Sequence, residues 1–343
     1  MKNNNIENNS QKQNENTGCV GRIYAVWKNY FEIGFEGKRM MGCLKGSYFM
    51  ENEEPPVVGD FVDFIYNPCG ESMISGIRER KSMLKRPDQS GHAIGYVKTM
   101  QEQVMVANFD YVFIVASLND NYNFNRIARY VSITLQGNGI PVVILTKVDL
   151  CSNPGRYMRE IEELSDKVRV HTISALYGIG LDELKDYVKP GITIAILGSS
   201  GVGKSTLVNA LAGEEVMKTS MIREDDSKGR HTTTHRQIIE LASGALLIDT
   251  PGMRELGMCD AEKGIDETFA DILELERQCR FSDCHHDTEP GCAIRNALET
   301  GVLSQERYDL YCGLQRESEH SAKMKAIGKA RKQLKRMNKR NIH

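Results

Sequence analysis

The stretch "AILGSSGVGKST", Ala195 to Thr206, decides the fold of the central part of the chain. It holds the pattern G-x-x-x-x-G-K-[ST] in full, from Gly198 to Ser205. An apolar run, "ITIAILG", precedes it and reads as a buried strand; "KSTLVNALAG" follows and reads as a helix. Strand, glycine loop and helix N-terminus together form the context in which this pattern binds phosphate. Gly201 and Gly203 let backbone N–H groups turn inward, and the helix N-terminus adds partial positive charge. Lys204 is placed to neutralise β and γ phosphates, and Ser205 to offer its hydroxyl to Mg2+. The plain alternative is a glycine-rich turn that happens to precede a helix, and the flanking elements argue against it. The candidate cradle is Gly198, Ser199, Ser200, Gly201, Val202, Gly203, Lys204, Ser205 and Thr206.

Two further motifs give the cradle a purpose. In "LLIDTPG", Asp249 ends an apolar strand, from which its carboxylate reaches magnesium through water, and Gly252 can donate its N–H to a γ-phosphate. In "ILTKVD", Ile144 to Asp149, a carboxylate at Asp149 can accept both the N1–H and the 2-amino protons of guanine. Adenine lacks that donor pair, so the residue selects GTP over ATP. Thr146, Lys147, Val148 and Asp149 form this loop, with Lys147 along the base. Ser174 and Ala175 in "ISAL", after the next strand, fit a loop whose backbone N–H contacts guanine O6.

The base-reading motif precedes the phosphate loop, the reverse of the usual order. Loops at strand ends can border one pocket in whatever order the chain visits them. Joining the old ends between "ISAL" and "ITIAILG", and opening new ones after "LIDTPG", keeps the site and permutes the chain. The texture agrees. "YVFIVASL", "IPVVILTKVDL", "VRVHTISAL", "ITIAILG", "HRQIIEL" and "GALLIDTPG" read as strands. "NFNRIARYVSITLQGNG", "GRYMREIEELSDK", "LDELKDYV" and "KSTLVNALAG" read as helices among them. Such alternation predicts a doubly wound α/β domain with a largely parallel sheet.

On either side the composition differs. Residues 1–17 are Asn/Gln-rich without an apolar core, which predicts a disordered lead-in and not a secretory signal. From residue 18, five short strand-like runs within about 70 residues, separated by Gly, Asn or Pro, predict a small β-barrel. The OB-fold is the natural candidate, with an SH3-like barrel as the alternative. No apolar run approaches the roughly 18 residues that span a bilayer. The expected location is the cytosol, where nine cysteines are thiols or metal ligands.

After Cys259 the chain reads as helical with one interruption, "CRFSDCHHDTEPGC". Cys279, Cys284 and Cys292 with one of His285 and His286 suit a closed tetrahedral Zn2+ site. Reduced cytosolic thiols are the plainer reading of the same residues. The net charge of −2 is unevenly spread: residues 321–343 carry nine Lys or Arg and no acid. A run without interleaved acids for i,i+4 pairs points to a phosphate-rich partner rather than to a solvated helix.

The order "TKVD", "SAL", "GSSGVGKS", "GRHTTTHR", "DTPG" resembles that of circularly permuted GTPases. The N-terminal barrel and the C-terminal Cys/His cluster narrow the resemblance to the ribosome small-subunit-dependent GTPase A family, over nearly the whole chain. The resemblance implies a cytoplasmic, monomeric GTP hydrolase that binds the 30S subunit and its 16S rRNA late in assembly. It implies Mg2+ with GTP and one structural Zn2+ held by Cys279, Cys284, His286 and Cys292. It divides the chain into a lead-in (1–17), an OB-fold RNA-binding domain (18–90), a permuted GTPase domain (91–258), a zinc domain (259–320) and a basic tail (321–343). "GRHTTTHR", Gly229 to Arg236, becomes the mobile switch. There Thr233, chosen from Thr232, Thr233 and Thr234, joins Ser205 and Asp249 around magnesium. His231 becomes the candidate to position the attacking water. One departure is Thr146, where Asn is usual; that Asn buttresses the phosphate loop, and its loss predicts weaker base affinity. An ATP-dependent kinase or helicase is the rival enzyme, disfavoured by Asp149. A non-catalytic rRNA-binding protein stabilised by GTP is the rival from another class.

Overall fold

The computed structural model describes residues 18–27, 30–51, 54–88, 101–217, 236–249 and 261–340. The chain divides into two compact units, Met1–Glu79 and Arg80–His343.

The first unit contains β1 (Cys19–Val26), β2 (Phe31–Phe35), β3 (Lys38–Leu44), a one-turn helix α1 (Tyr48–Glu51), β4 (Phe61–Ile65) and β5 (Ser72–Ile77). β1 pairs antiparallel with β2 and with β4, and β2 pairs antiparallel with β3. β3 runs parallel to β5, which returns antiparallel to β4. The ring therefore closes into a five-stranded barrel. Alternation along each strand sends Ile23, Ile33, Val62, Phe64 and Ile74 inward, all completely buried.

The second unit opens with an antiparallel ribbon of β6 (Met83–Asp88) and β7 (Gln101–Ala107), which the sequence reading did not anticipate. There follow β8 (Tyr111–Ser117), α2 (Phe124–Gln136), β9 (Ile140–Thr146), α3 (Pro154–Glu162), β10 (Arg169–Thr172), β11 (Thr193–Leu197), α4 (Lys204–Ala212), β12 (Gln237–Glu240) and β13 (Leu246–Asp249). The sheet order is β10-β9-β8-β11-β13-β12, parallel except for β12. The runs of Val and Ile that read as two-face-buried strands form its core, including Phe113, Val115, Ile144, Ile194, Ile196 and Leu247. α2 starts where the Asn123 side chain accepts the Arg126 N–H at 2.8 Å.

"LDELKDYV" was expected as a helix and forms only a 3-10 turn, Leu181–Leu184. Pro190 disfavours helical backbone at Lys189, and too few residues remain to offset the nucleation cost.

The chain ends in α5 (Glu262–Thr268), α6 (Ala270–Arg277), α7 (Ala293–Thr300) and the 36-residue α8 (Gln305–Arg340). The start of the basic tail is less isolated from acids than its sequence implied. Lys323 pairs with Glu319 one turn before it at 3.5 Å, and Lys325 with Glu102 of β7 at 2.8 Å. Among the described residues no helix is long and apolar enough to cross a membrane.

Candidate nucleotide and metal sites

Parallel strands deliver their carboxyl ends to one edge of the sheet, where ligands bind in doubly wound folds. In register, Ser117 on β8 stands beside Thr146 on β9, Leu145 beside Thr172 on β10, and Ile196 on β11 beside Asp249 on β13. The loops after β9, β10 and β11 are the three the sequence singled out. Asp249 closes β13 at the same edge.

The phosphate loop has the backbone its glycines suggested. Gly201 and Gly203 lie at φ 76° and 94°, a region that a side chain disfavours. α4 begins at Lys204, so Ser205 and Thr206 lie in its first turn. The Lys204 ammonium donates to the Gly198 and Ser199 carbonyls at 2.8 and 2.5 Å, at the mouth of the loop.

Thr146 is buried, and its hydroxyl lies 2.6 Å from the Val202 carbonyl and 3.3 Å from that of Ala116. Donation to Val202 ties β9 to the middle of the phosphate loop, so the buttress expected to be missing is present in another form. Lys147 takes left-handed backbone, φ 60°, and starts the 3-10 turn Val148–Leu150 that carries the exposed Asp149. The Val148 N–H donates to Ile173 O at 3.1 Å and draws this turn against the "SAL" loop. That loop is closed by reciprocal backbone bonds between Ser174 and Ile179, 3.0 Å each, with Ser174 buried and Ala175 packed against the core.

Two residues that the sequence reading passed over also reach the phosphate loop. Asn121 and Arg126, from the turn after β8 and the start of α2, both contact the Ser199 hydroxyl. The crowd of Asn at a strand end next to β11 was the available signal. His231, Thr233 and Gly252 lie outside the described residues.

In the C-terminal helices Cys279, Cys284, His286 and Cys292 bring their ligand atoms within 4.8 Å of one another. His286 Nδ1 lies 3.6 Å from Cys279 Sγ and 3.4 Å from Cys292 Sγ. Its Nε2 faces Glu276 at 3.6 Å, an outer carboxylate of the kind that orients metal-binding imidazoles. His286 reaches inward through left-handed backbone, φ 65°, whereas His285 is exposed. Burial raises the Cys279 thiol pKa, but the N–H groups of Ala293 and Ile294 together with the neighbouring Cys292 and Cys284 hold the thiol below its ordinary value. The loop between the ligands is pinned by Glu289, whose carboxylate accepts N–H bonds from His285, Asp287 and Thr288 at 3.0–3.1 Å. Three sulfurs and one imidazole nitrogen converge to form a four-ligand set.

Known proteins carry the same plan. The RsgA GTPase family model matches residues 77–259. The small ribosomal subunit biogenesis GTPase RsgA 2 of Listeria monocytogenes serotype 4b is 40% identical over 92% of this chain and 88% of that one. The crystal structure of YjeQ from Thermotoga maritima superposes with a TM-score of 0.63, at 27% identity over 87% of this chain and 97% of that one. YloQ, whose structure is described as a circularly permuted GTPase, superposes with a TM-score of 0.61 at 24% identity, covering 91% of this chain and 98% of that one. With permuted loop order, phosphate cradle and sequence likeness in agreement, the chain belongs to the RsgA GTPase family.

Proposed function

We propose that this GTPase acts in the cytosol as a monomer in late maturation of the small ribosomal subunit, binding the 30S particle and its 16S rRNA. The observation that carries the nucleotide part is the meeting of the phosphate loop, Asp249 and the two base loops at one sheet edge. Asp149 accepts from guanine, with Lys147 along the base and the "SAL" backbone near O6. Lys204 stabilises charge on the β and γ phosphates. Ser205, Asp249 and Thr233 hold Mg2+, which when bound neutralises charge on the phosphates. Gly252 reads the γ-phosphate and His231 orients water.

Cys279, Cys284, His286 and Cys292 fit one Zn2+, and with four protein ligands the site is structural. The closed barrel suits an OB-type RNA-binding domain, and the basic tail supplies phosphate contacts. Domain limits of 18–90, 91–258, 259–320 and 321–343 go with these roles, although β6 (Met83–Asp88) groups with the second compact unit and not with the barrel.

The test is GTP turnover titrated with purified 30S subunits. Intrinsic rates of such sites can be as low as roughly 10⁻⁴ s⁻¹, and an added catalytic group can raise them by about 10³–10⁵-fold. We expect slow basal turnover, strong stimulation, loss of both in Lys204→Ala, and loss of most stimulation in His231→Ala with GTP binding spared. Absence of stimulation in the parent protein would overturn the ribosomal reading, and normal stimulation of His231→Ala would remove the histidine from catalysis.

A further inference from the structure

We propose that Arg126, acting with Asn121, is a positioning residue that holds the phosphate loop in its binding shape from the α2 side. The inference rests on the nucleotide site proposed above and adds a role that none of its motifs contains.

The Arg126 guanidinium donates through Nη1 to the Ser199 hydroxyl at 3.0 Å and to Asn121 Oδ1 at 3.4 Å. Asn121 Nδ2 donates to the same hydroxyl at 3.3 Å and to the Ser200 carbonyl at 3.4 Å. Two side chains from one turn therefore grip two consecutive residues of the cradle. The grip is itself anchored. Asn119 Oδ1 accepts the Asn121 N–H at 3.2 Å and the Ser117 hydroxyl at 2.6 Å, fixing the turn to the end of β8. The Arg126 backbone is fixed by the Asn123 cap. Ile127, Tyr130 and Val202 wall the recess beside these bonds, which are part-buried except for the exposed one to Ser200.

Charge points the same way. Among the described residues no carboxylate pairs with Arg126, whose guanidinium stands against a loop built for phosphate. Lys204 also holds Ser199, through the main-chain carbonyl, but its ammonium has a second task at the phosphates. A tether on the Ser199 side chain leaves Lys204 free to perform it. A loop held in advance lowers the ordering cost of binding any guanine nucleotide. Because GDP and GTP both lie across the loop, the brace acts on the two alike. Such uniform binding changes KM and Kd and leaves kcat alone.

The test measures GDP and GTP affinity with fluorescent analogues, kcat at saturating GTP and the thermal midpoint, for the full chain. The variants are Arg126→Met, which keeps the aliphatic stem, Arg126→Lys, Ser199→Ala and the Arg126→Met/Ser199→Ala pair. We expect Arg126→Met to weaken both nucleotides about tenfold, the scale of one charged hydrogen bond, with kcat and thermal midpoint held. Arg126→Lys, which keeps the charge and one donor, should recover most of the affinity. If Arg126 acts through Ser199, the double variant should bind no worse than Arg126→Met alone. Unchanged affinity in Arg126→Met, additive losses in the pair, or a fallen midpoint with unchanged affinity would each overturn the proposal. Should Arg126→Met not fold, Ser199→Ala decides alone: parental affinity there overturns it. Failure of the parent chain to bind GDP would instead overturn the nucleotide site itself.

Discussion

The hydroxyl of Thr146 carries one proton, and two carbonyls compete for it. The shorter bond, to Val202, holds a peptide that is fully buried. Thr146→Val keeps the shape and removes the donor, leaving that carbonyl unsatisfied at a cost of about 1–3 kcal/mol. The expected result is a lower urea midpoint and GDP affinity reduced several-fold; unchanged values in both would show that the tether does nothing. Asp149 belongs to the same loop but is exposed, and it is the residue proposed to meet the base. Asp149→Asn should shift preference from GTP toward XTP, because an amide donates to the xanthine 2-oxo group where a carboxylate accepts from guanine. Competition between the two nucleotides measures it, and parental discrimination would remove Asp149 as base reader. Side chains whose chemistry is written in a local motif, such as Lys204 and Asp149, were legible in the sequence. Asn121 and Arg126 were not, and Thr146 reads in the sequence as a lost buttress rather than as a tether, since each acts on a partner 56 to 79 residues away that only the folded sheet brings near.

Elements built on strong periodicity were readable in the same way: the barrel strands alternate, and the central strands are continuous runs of Val and Ile. The β6–β7 ribbon escaped because its strands, "MLKRPD" and "QEQVMVA", carry Pro87 and charged or amide side chains that break the apolar alternation, and "LDELKDYV" misled because a helical pattern next to Pro190 is too short to sustain itself. The four-ligand loop between α6 and α7 was readable in its residue types; the resemblance selects His286 over His285, and the left-handed turn that swings it inward is the physical reason. That loop has almost no apolar core of its own: Phe281, Asp283, His285 and Asp287 are exposed. Its order must come from its ligands and from the Glu289 bonds. The protein should therefore purify with one zinc per chain. Cys284→Ser should lose it, along with folding free energy on the order of 10 kcal/mol, so that α6 and α7 loosen while GDP still binds. Metal analysis of a freshly prepared, reduced sample checks the first claim, and amide exchange over 270–300 the second. A zinc-free parent would remove both.

At the scale of the molecule, charge and connectivity matter more than any single motif. Two of the nine basic tail residues already have acid partners, Lys323 and Lys325. Seven more basic residues follow from Lys329 onward, and these are the ones proposed to meet a nucleic acid. Deleting residues 326–343 keeps the Lys325 contact. It should weaken 30S binding and lower the log–log salt slope by about 2–3 if half of those seven touch phosphates. A salt slope equal to the parent's would reduce the tail to a solubility feature.

The length of α8 has a mechanical meaning. Arg307 is held by Asp271, Glu317 by Arg129 of α2, and Lys325 by Glu102, so the first 21 residues of the helix are clamped at three points. Beyond Lys325 the remaining 15 residues extend about 22 Å at 1.5 Å per residue. A tilt of about 10° at the last clamp would sweep the tip through about 4 Å, on that same rise per residue. One of the clamps sits a single turn along α2 from Arg126. The helix thus has two parts, one fastened beside α2 and β7 and one that carries most of the tail's positive charge beyond the last fastening.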